Sequence, residues 1–202
     1  MSPLGSRERT VLIETARTAL RNAVERHYPP LSPPVLASLT EPAGAFVTLR
    51  RGGELRGCVG QIEAAEPLAS VVAHAAESAG LHDPRFPPVA AGEIASLEIE
   101  ISVLSPLQTI RPEEIEIGKH GLVVSQGKSR GVLLPQVAVE HGLNAERFLE
   151  ETCRKGGLGR NAWKLPETRI QGFTAEIFST ATDSGGPNSG ENAGRPAERA
   201  KN

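Results

Sequence analysis

The sequence predicts an α+β fold, a mainly antiparallel sheet flanked by helices. Three observations predict it. Strand-like segments come partly in pairs joined by turn residues, around Gly52-Gly53 and Gly127. Segments of helical periodicity lie beside and between those pairs. The regular alternation of single strands and helices that marks a doubly wound parallel sheet is missing.

Taken in order, Val11, Leu12, Ala16, Ala19, Leu20, Ala23 and Val24 recur at three- and four-residue spacing, which predicts an amphipathic helix from about Arg7 to Tyr28 that packs on the sheet. Pro29, Pro30, Pro33 and Pro34 then predict an extended crossing. Ala45 to Leu49 reads as a strand, Arg51-Gly52-Gly53 as a turn and Glu54 to Val59 as the returning strand. Pro67 opens a helix to about Ala79, with Leu68, Val71, Val72 and Ala75 on one face, and Gly80 is expected to end it. The run from His82 to Pro88 contains Pro84, Pro87 and Pro88 and cannot be regular structure.

The clearest strand is Ala95 to Leu104. Leu97, Ile99, Ile101 and Val103 alternate with Glu98, Glu100 and Ser102, giving one core face and one polar face with two carboxylates. Gly121–Ser125 and Gly131–Leu134 flank a turn over Gln126–Arg130, a second hairpin. Pro135 starts a short helix to His141, Asn144 caps another that runs to Lys155 and stops at Gly156-Gly157, and Arg169 to Phe178 forms a last strand.

Composition bounds the function classes. The chain of 202 residues suits one domain. Aromatic residues are only 3%, so Leu, Val, Ile and Ala must fill the core. A net charge of −2 gives no basic excess for a nucleic-acid partner. No apolar run approaches the roughly 18–20 residues of a membrane-spanning helix. Two cysteines do not make a disulfide framework and suit a reducing, cytoplasmic setting with free thiols. Residues 1–7 are expected to be flexible, 8–178 to form the domain and 179–202 to be a disordered polar tail, dispensable for folding because it has no apolar face to bury.

Cys58, in Arg56-Gly57-Cys58-Val59-Gly60, is the leading candidate for chemistry. The glycines let other groups approach the backbone. In a regular strand Arg56 and Cys58 share a face. A guanidinium beside a thiol favours thiolate, the nucleophilic and metal-binding form. The plainer alternative is a small buried hydrophobe at a close-packed strand end. Glu98 and Glu100 bind a cation, serve as acid–base groups or face solvent in the ordinary way. His74, His82, His120 and His141 show no metal-ligand spacing, and no zinc motif, nucleophile elbow, dinucleotide fingerprint or phosphate loop is present, so no metal or cofactor is assigned. Cys153, on a helix with Phe148 and Leu149, reads as core filler, with pairing to Cys58 as the alternative. Asp83 and Arg85 are expected to be structural before functional, Asp83 accepting from local amides and Arg85 locking the proline-rich loop.

Four segments in order, Leu55 to Gly60, Asp83 to Pro88, Glu98 to Leu104 and Gly131 to Ala138, together resemble the AMMECR domain family, over roughly residues 8–178. The resemblance implies a compact α+β domain with an antiparallel sheet and a smaller subdomain. Its prokaryotic members are called protein A of AmmeMemoRadiSam systems. They belong with a Memo-like protein and a radical SAM protein, which implies a shared modification pathway without assigning a reaction. The family's Arg-Gly-Cys motif falls on Arg56, Gly57 and Cys58, and its Asp-Pro-Arg-Phe motif on Asp83 to Phe86. The expected site therefore has Cys58, Arg56 and Glu100 as catalytic candidates and Arg85 and Asp83 as substrate-binding ones. They are expected around one concave pocket, with Arg56 or Arg85 nearer the sulfur than Glu98 or Glu100. An enzyme, a module that docks the Memo-like or radical SAM partner, and a structural domain all fit these residues.

Overall fold

The computed structural model describes residues 3–27, 36–63 and 65–180. The crossing at Pro29–Pro34 and the tail beyond residue 180 lie outside the described residues. Helix α1 spans Ser6–Val24 and buries Leu12, Ala16 and Leu20. It begins ahead of Arg7, and the preceding Leu4 is 4% exposed with its N–H on Glu176. The helix also ends before Tyr28, because Arg26 adopts a positive φ of 54°.

Strands β1 (Ala45–Arg51) and β2 (Glu54–Gln61) form the first hairpin. Its two turn residues, Gly52 and Gly53, both have positive φ, the conformation that matches the twist of the strands they join. Helix α2 (Leu68–Leu81) runs through Gly80 rather than stopping there. A Cβ at Gly80 would lie 2.2 Å from Leu20 Cδ1, so this glycine lets α1 and α2 close on each other. A tight turn at Ala91–Ser96 delays β3 to Leu97–Leu104. The two-residue strand β4 (Gln108–Thr109) follows, then the hairpin of β5 (His120–Gln126) and β6 (Ser129–Leu133). Helix α3 (Pro135–Glu140) and helix α4 (Ala145–Lys155) come next, the latter capped by Asn144 accepting from the Arg147 N–H. The last strand, β7, spans Arg169–Ser179.

The sheet order is β2-β1-β3-β7-β5-β6, with β4 added beside β7, and every pairing is antiparallel. Strand β7 joins two halves. Its C-terminal part pairs with β3 and its N-terminal part with β5. In the first half, Val47, Leu49, Ile99 and Ile101 meet α1 and α2 through Leu12, Leu20 and Val72. In the second, Leu122 and Val124 meet α4 through Phe148, Leu149 and Cys153, which makes the smaller subdomain. Each such fully buried large side chain contributes about 1.5–3 kcal/mol. A third cluster, Leu104, Val123 and Phe173 with Phe46, Ile62 and Leu134, lies on the opposite face and joins the halves. Among the described residues no helix is long and apolar enough to cross a membrane.

Candidate functional site

The first hairpin decides where Cys58 points. Its turn fixes the opening pairs, Arg51 opposite Glu54 and Arg50 opposite Leu55. Continued without interruption, that register would set Arg56 opposite Leu49 and Cys58 opposite Val47, both on the core face. The register instead shifts between Leu49 and Arg50, so that Gly57 faces Leu49 and Cys58 faces Thr48. Arg56 is the extra residue of a β-bulge, and a one-residue slip exchanges the two faces of everything after it. Gly57 thereby takes the core side, where a Cβ would lie 2.1 Å from the carbonyl oxygen of Ala79 in α2. Cys58 is turned to the open face and stays partly exposed.

On that face Thr48 Oγ1 donates to Cys58 Sγ at 3.4 Å. Thr48 is also paired with Glu100, and Glu100 with Ser179. Cys58, Thr48, Glu100 and Ser179 thus form one row across four neighbouring strands. Adjacent strands lie about 4.8 Å apart, so Cys58 and Glu100 stand roughly 10 Å from one another, with Thr48 between them. The next row holds Gly60, Phe46, Ser102 and Ile177.

The expectation that Arg56 shares the thiol's face assumed a regular strand, and the bulge removes that condition. The Arg56 guanidinium bonds both carboxylate oxygens of Glu93, at 3.2 and 3.1 Å, and the carbonyls of Pro87 and Pro88. Arg56 ties the bulge to the proline-rich loop. Glu93 in turn is held below the usual carboxylate range, first by Arg56 and then by the Ala90 N–H.

Arg85 is the cation at Cys58. Strand β2 is an edge of the sheet, so the outward N–H and C=O of Cys58 lack a neighbouring strand. The Cys58 N–H donates to Asp83 Oδ2 at 2.9 Å, and Arg85 Nη2 donates to the Cys58 carbonyl at 3.1 Å. Asp83 accepts three further bonds from Arg85, from its backbone N–H, Nε and Nη2. An ion pair therefore sits where another strand would pair. Asp83 is 5% exposed. Its carboxyl is held well below the usual range, first by the hydrogen bond from Arg85, against the opposing pull of burial, and then by the N–H groups of Cys58 and Arg85. Arg85 is raised reciprocally, chiefly by Asp83, with the Cys58 side chain adding in the same direction.

The remaining candidates stand apart. Glu98 is exposed on the polar face of β3. His74 Nδ1 meets Glu66 at 3.3 Å on the surface, and His120 accepts from the Glu116 N–H. Cys153 is fully buried in the smaller core, where desolvation pushes its thiol up, and both cysteines are free. Sequence reasoning missed Thr48 and Glu93. The only available signal for Thr48 was the hairpin register, and that is misleading until the bulge is known.

Comparison with known proteins yields consistent matches. The AMMECR1 family model matches residues 13–178. A protein of Methanothermobacter thermautotrophicus is 41% identical over 188 residues, covering 88% of this chain and 96% of the relative. One from Thermofilum pendens is 38% identical over 205 residues, covering 92% and 95%. The crystal structure of the uncharacterized protein PH0010 from Pyrococcus horikoshii superposes with a TM-score of 0.76 at 40% identity, covering 83% of this chain and 89% of that one.

Proposed function

The chain belongs to the AMMECR1 family, and from that premise we propose that it works through a Cys58-centred site on the open face of its sheet. The setting is the modification pathway implied by the AmmeMemoRadiSam association, in a reducing cytoplasm suited to two free thiols. Cys58 acts as nucleophile or thiolate ligand and Glu100, across Thr48, as the acid–base group. Arg85 and Asp83 fix the thiol's peptide and offer a cation to an anionic substrate, and Arg56 holds the bulge that aims the thiol.

One observation carries this reading. The bulge turns Cys58 out of the core, and the buried carboxylate of Asp83 with the half-exposed guanidinium of Arg85 then holds both polar groups of its backbone. A cysteine serving only as filler needs neither device. The test is residue-resolved alkylation of the native protein by iodoacetamide at pH 7. Cys58 should react faster than an ordinary exposed cysteine in a peptide, while Cys153 should stay protected until the chain unfolds. Thr48→Val, which removes the sulfur's donor, should change the Cys58 rate by about two- to tenfold. A Cys58 rate equal to that of the peptide thiol, indifferent to Thr48, would count against the proposal.

A second reading, a non-catalytic module that docks a Memo-like or radical SAM partner, draws on a different observation. Arg56, Gly57, Asp83 and Arg85 are all engaged in holding the edge strand, and beside the Cys58 row Ile177 is 44% exposed. Complex formation with such a partner that survives Cys58→Ser but not Ile177→Glu would favour it.

A further inference from the structure

We infer that the junction between the two halves of the sheet binds a small amphipathic anion, a molecule with an apolar body and a terminal carboxylate, phosphate or sulfonate. The inference rests on a cleft away from Cys58 and stands whether or not that thiol is reactive.

The cleft has a volume of about 570 Å3, and its apolar lining includes Ile62, Leu104, Leu107, Pro42 and Pro106. That volume lies within the roughly 300–1,000 Å3 typical of small-molecule sites, which favour junctions between structural units. Leu104 follows Glu100 and Ser102 on one face of β3, so this lining begins two rows beyond the Cys58 row, about 13 Å along the strand.

At one end the cleft meets a second depression of about 320 Å3, with Glu63 and Gln171 shared between them. Here the lining changes character to Lys128, Arg130 and Arg169 with Ser125 and Ser129. The sheet builds this end: Arg169, Ser125 and Arg130 are paired across β7, β5 and β6, on the face that also carries Val123. Arg130 is spent on Glu63, at 2.7 Å. Lys128 and Arg169 have no ion pair among the described residues. Two cations without an ion pair among the described residues thus adjoin an apolar trough in a chain whose net charge is −2. Glu41 lines the cleft but not the basic depression. This polarity orients the ligand, with its anionic group at Lys128 and Arg169 and its apolar body on Leu104 and Leu107. A nucleic-acid backbone would need a longer basic track than these residues provide.

The probe for the test is 8-anilinonaphthalene-1-sulfonate, an aromatic body with one sulfonate. The neutral control is N-phenyl-1-naphthylamine, which has the same framework without the charge. Fluorescence titration of the full chain should show saturable one-to-one binding of the sulfonate, weakening as salt is raised. Lys128→Ala combined with Arg169→Ala should weaken sulfonate binding by about five- to thirtyfold and leave the neutral probe within about twofold. Leu107→Glu should weaken both. The two cations are exposed and the double variant should melt with the wild type, which separates loss of binding from loss of fold. Cys58→Ser should leave the titration unchanged, so that failure here and failure of the thiol reading are told apart. Non-saturable fluorescence, or sulfonate binding indifferent to the double variant, would overturn the inference. So would competition by inorganic phosphate with no binding of the neutral probe, because the site would then be an anion patch alone.

Discussion

Gly57→Ala should destabilise the protein by about 3 kcal/mol or more, the upper range for overpacking. The bulge places Gly57 on the core side of β2, and a Cβ there would stand 2.1 Å from the Ala79 carbonyl oxygen. Real contacts at that separation do not occur, and the opposing atom is helix backbone, which cannot rotate aside as a flexible side chain would. Either β2 lifts from α2 or the bulge is lost, and each route unpacks the edge of the larger core. For a chain of this size the melting temperature should fall by about 6–12 °C. Gly92→Ala is the matched control: nothing lies within 4 Å of its Cβ position, so its unfolding midpoint should move by no more than about 0.5 kcal/mol. If urea titration gives the two variants equal midpoints, the close contact between β2 and α2 is not a constraint on the fold.

Asp83→Ala is expected to cost about 2–3 kcal/mol. The lost carboxylate accepts four hydrogen bonds, one from the Cys58 N–H and three from Arg85. Arg85 can turn its guanidinium to water, since its side chain is 54% exposed, and that relief keeps the cost below that of splitting a fully buried pair. Asp83→Asn should recover part of the loss, because its amide oxygen can still accept from Cys58. The pH dependence has a definite sign. The folded-state pKa of Asp83 lies below the unfolded value of about 3.9. Its contribution is therefore complete above that value and is lost as pH falls through it toward the folded one. The gap in melting temperature between wild type and Asp83→Ala should be widest near pH 6 and narrow on acidification to pH 3. A constant gap would show that the charge of Asp83 contributes nothing.

Much of the fold was legible because its determinants are local. Gly52-Gly53 between two apolar-rich runs can hardly be anything but a tight hairpin, and Leu97 to Val103 alternates without a fault. Asn144 announces a helix because its side chain can satisfy an N–H that the helix leaves open. Gly80 misled because glycine serves two ends. It terminates helices by conformation, but here it admits Leu20 by having no side chain. The orientation of Cys58 was not legible for a related reason. Val59 lies four positions after Leu55, which in an uninterrupted strand puts them on one face, yet Leu55 pairs with outward Arg50 and Val59 with inward Val47. Only the tertiary demand for glycine over Ala79 selects the bulge, and nothing within the hairpin encodes Ala79. The Asp83–Arg85 clasp was foreseen as a loop device. That it grips Cys58 depended on β2 being the edge strand, a property of the whole sheet.

The central place of β7 also bears on synthesis. Strand β3 is complete at Leu104, but the strand that covers its free side begins only at Arg169. At about 5–20 residues per second, the nascent chain carries that uncovered side for several seconds. During that interval neither half of the sheet can close, since both wait for the same strand. The chain is thus most exposed to wrong partners late in translation, and its productive folding is set by the arrival of its last strand.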